Sequence, residues 1–225
     1  NSTTTSNLVA VGYQALYNNG TEATGDEAKY NTAVGSQALY SNTKGYENTA
    51  NGYQALYSNI TGVANTANGY KALYTNIDGN DNTANGFFTL YANTSGCYNT
   101  ANGFWALYSN TSGGWNTANG SFALYQNETG THNTANGYTA LQNNRTGSYN
   151  TANGNYALIS NTSGSYNIAI GTESLRNNST VSNLVAVGFQ ALYNNGTGAT
   201  GDEAKYNTAV GSQALFTNTK GAANT

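Results

Sequence analysis

The sequence predicts an all-β protein, a parallel β-solenoid of about twelve rungs of 17 residues, where a rung is one turn of the solenoid. Three observations support this fold class. A glycine recurs at a fixed interval, other residues recur at fixed positions from it, and the chain has 27 Gly but no Pro. The stretch NTANGYQALYSNITG, which begins at Asn48, is followed directly by two near copies of itself. Such short repeats are typical of stacked structural units.

The repeat glycine follows NTAN, NTAV or LVAV and marks one position in each rung. It recurs with a period of 17 from Gly35 to Gly188, whereas the first and last steps have a length of 23. The six extra residues fall near residues 22–30 and 198–206, where we expect loops. The twelve repeat glycines are Gly12, Gly35, Gly52, Gly69, Gly86, Gly103, Gly120, Gly137, Gly154, Gly171, Gly188 and Gly211.

A longer period is superimposed on the short one. SNLVAVGYQALYNNGT begins at Ser6 and returns as SNLVAVGFQALYNNGT at Ser182, a shift of 176 in the numbering. The sequence stops on GAANT, the first part of another rung. We therefore expect residues 1–225 to be a single solenoid segment, an excerpt of a longer tandem array.

Each rung is expected to hold two short strands and two turns. NTANGY and ALYSN are both compatible with strands, and the Gly and Asn residues between them favour left-handed turn conformations. Ala always stands two residues before the repeat glycine and Leu four residues after it, which predicts a narrow apolar interior. A helical repeat fits poorly, because a rung of this length would have to hold two helices of under two turns each as well as two turns.

Asn always stands seven residues after the repeat glycine. In stacked rungs these side chains can form an amide ladder in which each buried polar group bonds the next. Nine of the twelve also match the N-glycosylation pattern Asn-x-Ser/Thr, which turn chemistry produces equally well and which we interpret in that way. The predicted ladder consists of Asn19, Asn42, Asn59, Asn76, Asn93, Asn110, Asn127, Asn144, Asn161, Asn178, Asn195 and Asn218.

Aromatic residues recur one and five residues after the repeat glycine, and we expect them to face outward. A long exposed apolar stripe normally marks an interface, so the first interpretation is lateral packing with other chains, most simply in a parallel trimer. The alternative is a sugar-stacking or adhesive face. The candidate interface aromatics are Tyr17, Tyr40, Tyr57, Tyr74, Tyr91, Tyr108, Tyr125 and Tyr193.

Composition argues against several classes of function. Charged residues make up 8% and the net charge is −3, so no basic face for nucleic acid is expected. No apolar run approaches the roughly 20 residues of a membrane span, so we expect no membrane insertion of this segment. Cys97 is the only cysteine, which excludes a disulfide within the chain.

No motif for catalysis or for a cofactor is present. His132 lies at a variable turn position and has no second His or Cys to complete a zinc site. Asp78 and Asp81 lack the closing Glu of an EF-hand. The chain is therefore expected to be non-enzymatic, with no catalytic residues, no metal and no cofactor.

Adjacent carboxylates occur in the two six-residue insertions, as Asp26–Glu27 and Asp202–Glu203. Such a pair could bind a cation or a partner. The simpler interpretation, which we favour, is that the charges keep a protruding loop soluble.

Three rungs carry a family resemblance: NTAVGSQAL at residues 31–39, NIAIGTESL at 167–175 and NLVAVGFQAL at 183–192. They resemble the head repeats of trimeric autotransporter adhesins, and rungs of the NTANGYQALYSN type are similar to repeats of long bacterial surface and phage tail-fibre proteins. The resemblance implies a left-handed parallel β-roll, assembled as a parallel trimer. The rung here is longer than the usual adhesin rung, and Asn replaces the aliphatic residue before the repeat glycine in seven central rungs.

These observations lead to a functional expectation: a structural segment of an extracellular, cell-surface fibre or adhesin, which forms a stiff rod for attachment. The expected partners are other copies of the chain, as a homotrimer or filament, and possible partners are host or environmental glycans. The alternatives are a phage tail-fibre shaft and an ice- or glycan-binding face built on a column of Thr. That column comprises Thr32, Thr49, Thr66, Thr83, Thr100, Thr117, Thr134, Thr151 and Thr208.

Overall fold

The computed structural model describes residues 6–25, 27–199 and 203–225. It forms two compact units, residues 1–114 (unit 1) and 115–225 (unit 2). No helix occurs among the described residues. Asp26 and Asp202, one member of each acidic pair predicted in the insertions, lie outside the described residues.

Unit 1 is a parallel β-solenoid with one three-residue strand in each rung. Every strand pairs with the next along the chain. Its strands are β1 (Val9–Val11), β2 (Thr32–Val34), β3 (Thr49–Asn51), β4 (Thr66–Asn68), β5 (Thr83–Asn85) and β6 (Thr100–Asn102).

Unit 2 repeats the same architecture and the same pairing order. Its strands are β7 (Thr117–Asn119), β8 (Thr134–Asn136), β9 (Thr151–Asn153), β10 (Ile168–Ile170), β11 (Val185–Val187) and β12 (Thr208–Val210). The predicted parallel β-solenoid, with its repeat of about 17 residues, is therefore confirmed.

The strands pair in a register that places the central Ala of each strand opposite the central Ala of the next. Ala50 pairs with Ala67 and Ala67 with Ala84, so that Thr lies on Thr and Asn on Asn in neighbouring rungs. The central Ala points into the rung and is fully buried, while its two neighbours face outward. This alternation is the ordinary period of two of a β-strand.

The second strand expected in each rung does not form, and this part of the prediction is wrong. The QALYSN segment of the rung that contains β3 places Gln54 at φ 54° and Leu56 at φ 51°, in the left-handed region. Alternate left-handed residues cannot follow an extended strand. The segment still bonds to the next rung, because the Leu56 amide donates to Ala72 at 3.0 Å and the Ser58 amide donates to Tyr74 at 3.0 Å.

The core is a column of small and medium apolar side chains. In the rung that contains β3 it consists of Ala50, Ala55 and Leu56, all fully buried. The fixed Leu fills the space that the two Ala leave, and its burial offsets the strain of its left-handed backbone. Thr89 replaces the second Ala in one rung, and its hydroxyl donates to the carbonyl of Gly103 at 2.7 Å.

Candidate functional site

The predicted Asn ladder lies inside each unit. In unit 1, Asn59 Nδ2 donates to Asn42 Oδ1 at 2.9 Å, and Asn76 Nδ2 donates to Asn59 Oδ1 at 2.7 Å. The other Nδ2 hydrogen of Asn59 goes to the carbonyl of Gly62 at 3.0 Å. The same arrangement continues to Asn110 in unit 1 and recurs from Asn127 to Asn178 in unit 2. The predicted step from Asn178 to Asn195 is wrong, because Asn178 Oδ1 has no hydrogen-bond partner among the described residues and Asn195 Nδ2 donates to the carbonyl of Ala204 at 3.1 Å.

Burial of this ladder bears on the glycosylation pattern. Eight of the nine matching Asn residues are fully buried, and Asn19 is the exception. Each of these eight Nδ2 groups donates to a main-chain carbonyl inside the rung, so the buried amide nitrogen cannot take a glycan. The turn interpretation of the pattern therefore agrees with the position of these eight side chains.

A second buried Asn ladder was not predicted. It is formed by the residue four before the repeat glycine, the first Asn of NTAN. Asn65 receives support from both neighbouring rungs, since its main-chain amide donates to Asn48 Oδ1 at 3.0 Å and its Nδ2 donates to the carbonyl of Gly79 at 2.8 Å. The signal was present in the sequence, because Asn occupies this position in every rung except those of Leu8 and Leu184.

Leu184 interrupts the second ladder in unit 2. Its main-chain amide still donates to Asn167 Oδ1 at 3.1 Å, but its side chain offers no amide to the next rung. Asn207 turns instead to Asn195 Oδ1 at 3.0 Å, which joins the two ladders.

Six of the eight predicted interface tyrosines form one continuous stack in unit 1, which we call the tyrosine column. Neighbouring ring centroids are 5.1–5.2 Å apart and the ring planes differ by 3–9°. Tyr17 at one end is 61% exposed, and the other five are half-buried. The column consists of Tyr17, Tyr40, Tyr57, Tyr74, Tyr91 and Tyr108.

The stack determines what this column can offer to a ligand. The four inner rings, Tyr40, Tyr57, Tyr74 and Tyr91, each lie between two stacked tyrosines, so both of their faces are occupied. A sugar that stacks on an aromatic residue needs an open ring face. These four inner rings therefore offer no open face for sugar stacking.

The two remaining predicted aromatics, Tyr125 and Tyr193, lie in unit 2. Tyr125 meets Phe122 edge-on at 5.7 Å, and Tyr193 stacks on Phe216 at 4.9 Å. Between them the equivalent positions hold Gln142, Ile159 and Arg176. The outward aromatic column is therefore broken in unit 2.

A second set of rings widens the aromatic surface of unit 1. Tyr53, Tyr70, Phe87 and Phe104, each one residue after a repeat glycine, form a stack with centroid spacings of 5.1–5.4 Å. Phe88 lies between this stack and the tyrosine column, edge-on to Tyr70 at 5.3 Å and to Tyr91 at 5.1 Å. We call the four stacked rings, Phe88, Trp105 and the tyrosine column the aromatic face.

One cation lies on the aromatic face. Lys71 Nζ is 5.1 Å from the ring centroid of Tyr74 and 5.6 Å from that of Tyr70. Cation–π contacts of this kind contribute about 0.5–1 kcal/mol at exposed sites.

The outward side of the strands is uncharged and regular. In β3 to β6 it carries one row of Thr and one row of Asn, which we call the Thr–Asn face. Asn68 Nδ2 donates to Asn85 Oδ1 at 2.8 Å, and Asn85 Nδ2 donates to Asn102 Oδ1 at 2.7 Å, so the Asn row is a third ladder. Unit 2 has the same face on β7 to β9, and its β10 instead exposes Ile168 and Ile170, 40% and 41% exposed.

The residues considered for catalysis or metal binding are dispersed. Among the described residues, no group of three or more His, Cys, Asp or Glu side chains is placed to hold a metal ion. His132 is stacked between Trp115 at 5.1 Å and Tyr149 at 4.6 Å, and Asp78 and Asp81 are exposed. Within the described part of the chain, no helix is long and apolar enough to cross a membrane.

A cavity of about 430 Å³ lies beside the insertion of unit 1. It is lined by Glu27, Lys29, Tyr30, Tyr46 and Glu47. Glu27 Oε2 accepts a hydrogen bond from the Thr24 amide at 3.0 Å, so this carboxylate already shapes the loop.

No family model, no curated protein and no solved structure matches the chain.

Proposed function

We propose that this chain is a non-enzymatic structural segment of an extracellular fibre, of the adhesin or tail-fibre type, which self-associates laterally. The observation that carries the proposal is the ladder of buried amide bonds that joins successive rungs from Asn42 to Asn110 in unit 1 and from Asn127 to Asn178 in unit 2. Neighbouring rungs are joined by main-chain bonds and Asn side chains, and in unit 1 also by the stacked rings of the tyrosine column. Such units are stiff along the stacking direction, which suits a spacer or shaft.

The aromatic face supports the self-association part of the proposal. It presents neighbouring exposed rings, among them Phe87 and Phe104, each 42% exposed, with Lys71 as the cation that lies over its rings. Large exposed apolar patches on soluble proteins usually mark interaction sites. Every copy of this chain exposes the same aromatic face, so the partner that we propose is a second copy of the chain.

Light scattering after size exclusion tests the assembly. A mass of three times 23.5 kDa is expected for a trimer, and larger open-ended species for a filament. The double variant Phe87→Ser and Phe104→Ser copies the Ser121 that unit 2 carries at the equivalent position. It should shift the assembly toward the single chain.

The control is Tyr138→Ser, which removes an exposed ring of unit 2 outside the aromatic face and should leave the mass unchanged. A single 23.5 kDa species at every concentration would contradict lateral association.

The Thr–Asn face favours a second candidate function, binding to ice or to a crystalline polysaccharide. Side chains two residues apart on a strand are roughly 6.7 Å apart, and neighbouring strands are roughly 4.8 Å apart. In β3 to β6 these two distances generate a regular, uncharged grid of hydroxyl, methyl and amide groups. A regular grid can match the repeat of an ordered surface, whereas a soluble sugar needs a concave site.

Thermal hysteresis and sedimentation with insoluble polysaccharide distinguish the two ligands of this second candidate. Thr83→Lys places a charge in the centre of the grid and should abolish whichever activity is present. Thr61→Lys adds the same charge at an exposed position away from the strands and should leave it intact. No activity in either assay would reject the candidate.

A further inference from the structure

We propose that the tyrosine column of unit 1 is a relay for one-electron oxidation, with Trp105 as the entry point and Tyr17 as the exposed exit. The inference rests on ring geometry and on the chemistry of indole and phenol. It does not depend on the fibre function proposed above.

The column provides an unbroken series of oxidisable rings. Tyr17, Tyr40, Tyr57, Tyr74, Tyr91 and Tyr108 are linked by five contacts with centroid spacings of 5.1–5.2 Å. Nearly parallel rings at this distance are in van der Waals contact along their faces or edges. Electron transfer between such neighbours needs no bridging group.

Trp105 lies beside one end of the column. Its ring centroid is 5.4 Å from that of Tyr108, with the planes tilted by 35°. It also stacks on Phe104 at 5.0 Å, but a phenyl ring is far harder to oxidise than an indole or a phenol. Tyr108, a phenol whose ring centroid is 5.4 Å from that of the indole, can therefore accept the hole.

Electrons and protons balance in the first step. A one-electron oxidant, such as an azide or peroxyl radical, takes one electron from the Trp105 indole, which becomes a radical cation and keeps its N–H proton. Tyr108 then gives one electron to the indole and its phenolic proton to water. The products are a neutral indole, a neutral tyrosyl radical and one released proton.

Later steps exchange identical partners. The phenol of Tyr91 gives an electron and a proton to restore Tyr108, and the radical is now on Tyr91. Because reactant and product are the same species, each step is close to thermoneutral and the radical spreads over the column. A soluble reductant, such as a thiol or ascorbate, ends the process by returning one electron and one proton at exposed Tyr17.

Lys71 influences the form of the radical. Its ammonium lies 5.1 Å from the ring centroid of Tyr74 and opposes a positive charge on that ring. A neutral tyrosyl radical carries no such charge, so the proton must leave with the electron at this rung. Unit 2 provides an internal comparison, because Gln142, Ile159 and Arg176 interrupt its equivalent column.

Pulse radiolysis with azide radicals tests the first transfer in the full chain. The background is Trp115→Phe, which leaves Trp105 as the only indole. We expect the indole radical to decay as the tyrosyl radical grows, with a first-order rate that does not depend on protein concentration. Tyr108→Phe keeps a ring in place but removes the phenol, and should slow the transfer by about tenfold or more. Growth that is second order in protein, or an unchanged rate in Tyr108→Phe, would overturn the proposal.

Spin trapping followed by peptide mass spectrometry tests the relay itself. The trap adduct is expected at Tyr17 in the Trp115→Phe chain. The further substitutions Tyr57→Phe and Tyr74→Phe preserve the stacked rings and should remove the adduct from Tyr17, because the column then lacks phenols between Tyr91 and Tyr40. Tyr206→Phe removes an exposed phenol outside the column and should change nothing. An adduct at Tyr17 that persists in the double variant shows direct oxidation by the solvent radical and contradicts the relay.

Discussion

At the scale of the residue, the amide side chain is the group that makes these rungs possible. A narrow interior lined only by Ala and Leu would leave the carbonyls of the turns without donors. Asn93 shows how the ladder solves this: its Nδ2 donates to Asn76 Oδ1 at 2.8 Å and to the Gly96 carbonyl at 3.0 Å, and its Oδ1 accepts from Asn110 at 2.8 Å. Buried polar groups that are fully bonded are tolerated, whereas unbonded ones are costly.

Asn93→Ala should therefore destabilise unit 1. The change leaves two buried acceptors and one buried donor without their partner, and we expect the free energy of unfolding to fall by about 2–4 kcal/mol. Chemical denaturation followed by circular dichroism measures this. Asn153→Ala is the matched control, since Asn153 is exposed on the outward side of β9, and its effect should stay within about 0.5 kcal/mol. Equal effects of the two substitutions would contradict the role of the ladder.

Tyr74 shows how the tyrosine column responds to alkali. Burial raises the pKa of Tyr74 above its ordinary value of 10.0, Lys71 opposes this, and the neighbouring phenols Tyr57 and Tyr91 add to it when ionised. The fold thus favours the neutral phenol. Its stabilising contribution is present below the pKa of the unfolded chain, about 10, and is lost as the pH rises through the higher pKa of the folded chain.

Denaturation midpoints measured from about pH 9 to about pH 12 should therefore fall with rising pH. The fall should be smaller in Tyr74→Phe, which has no phenol to ionise at this rung. Parallel pH profiles for the two chains would show that Tyr74 does not contribute.

At the scale of the element, neighbouring rungs are held together more by the close approach of their main chains than by the length of their strands. Each strand has only three residues, and the QALYSN segment bonds to its neighbour through a left-handed backbone. The repeat glycine makes the approach possible. At Gly137 the backbone has φ +133°, and an added Cβ would lie 2.7 Å from the carbonyl oxygen of Gly154 in the next rung.

Gly137→Ala should separate two rungs of unit 2. A methyl group at this position strains the backbone and collides with a main-chain oxygen that cannot rotate away, so we expect a loss of about 2–4 kcal/mol in the free energy of unfolding. Gly25→Ala is the control, because its added Cβ would meet no atom within 4 Å. Thermal unfolding monitored by circular dichroism compares the two, and an unchanged midpoint for Gly137→Ala would refute the close-packing argument.

At the scale of the whole molecule, stability in each unit is the sum of similar rungs and of the contacts between neighbours. Charges contribute little to it: the ion pair of Arg145 and Glu128, at 2.7 Å, lies on the exposed surface. Exposed pairs are worth about 0–1 kcal/mol. The fold therefore depends on the phase of the repeat and should tolerate changes that preserve that phase.

Deletion of residues 134–150 removes one complete rung from unit 2 and joins Asn133 to Thr151, which restores the NTAN motif. All columns stay in phase, so we expect a folded chain with a slightly lower denaturant m-value. Deletion of residues 134–141 removes only about half a rung and moves the Ala, Leu and Asn columns out of phase. The cooperative transition of unit 2 should then be lost, and equal behaviour of the two deletions would argue against stacking in register.

Periodicity alone was enough to predict the parallel solenoid, the length of the rung, the buried Ala and Leu columns and the first Asn ladder. The reason is that stacking places equivalent residues of neighbouring rungs in direct contact. A residue type that recurs at one position in every rung therefore packs against copies of itself, and its chemistry indicates whether that position is buried. The second ladder, at Asn48 and its equivalents, was equally visible in NTAN and could have been predicted in the same way.

The remaining features depend on packing in three dimensions. Gln54 and Leu56 adopt left-handed conformations where a second strand was expected. The free energy gained by burying the Leu side chain outweighs the local preference of these residues for an extended backbone. The inner rings of the tyrosine column, from Tyr40 to Tyr91, are covered on both faces by neighbouring rings, which depends on the rotation of each side chain. Side-chain rotation is set by packing between rungs, so the sequence predicted where the tyrosines recur, and the structure showed which part of each ring faces the solvent.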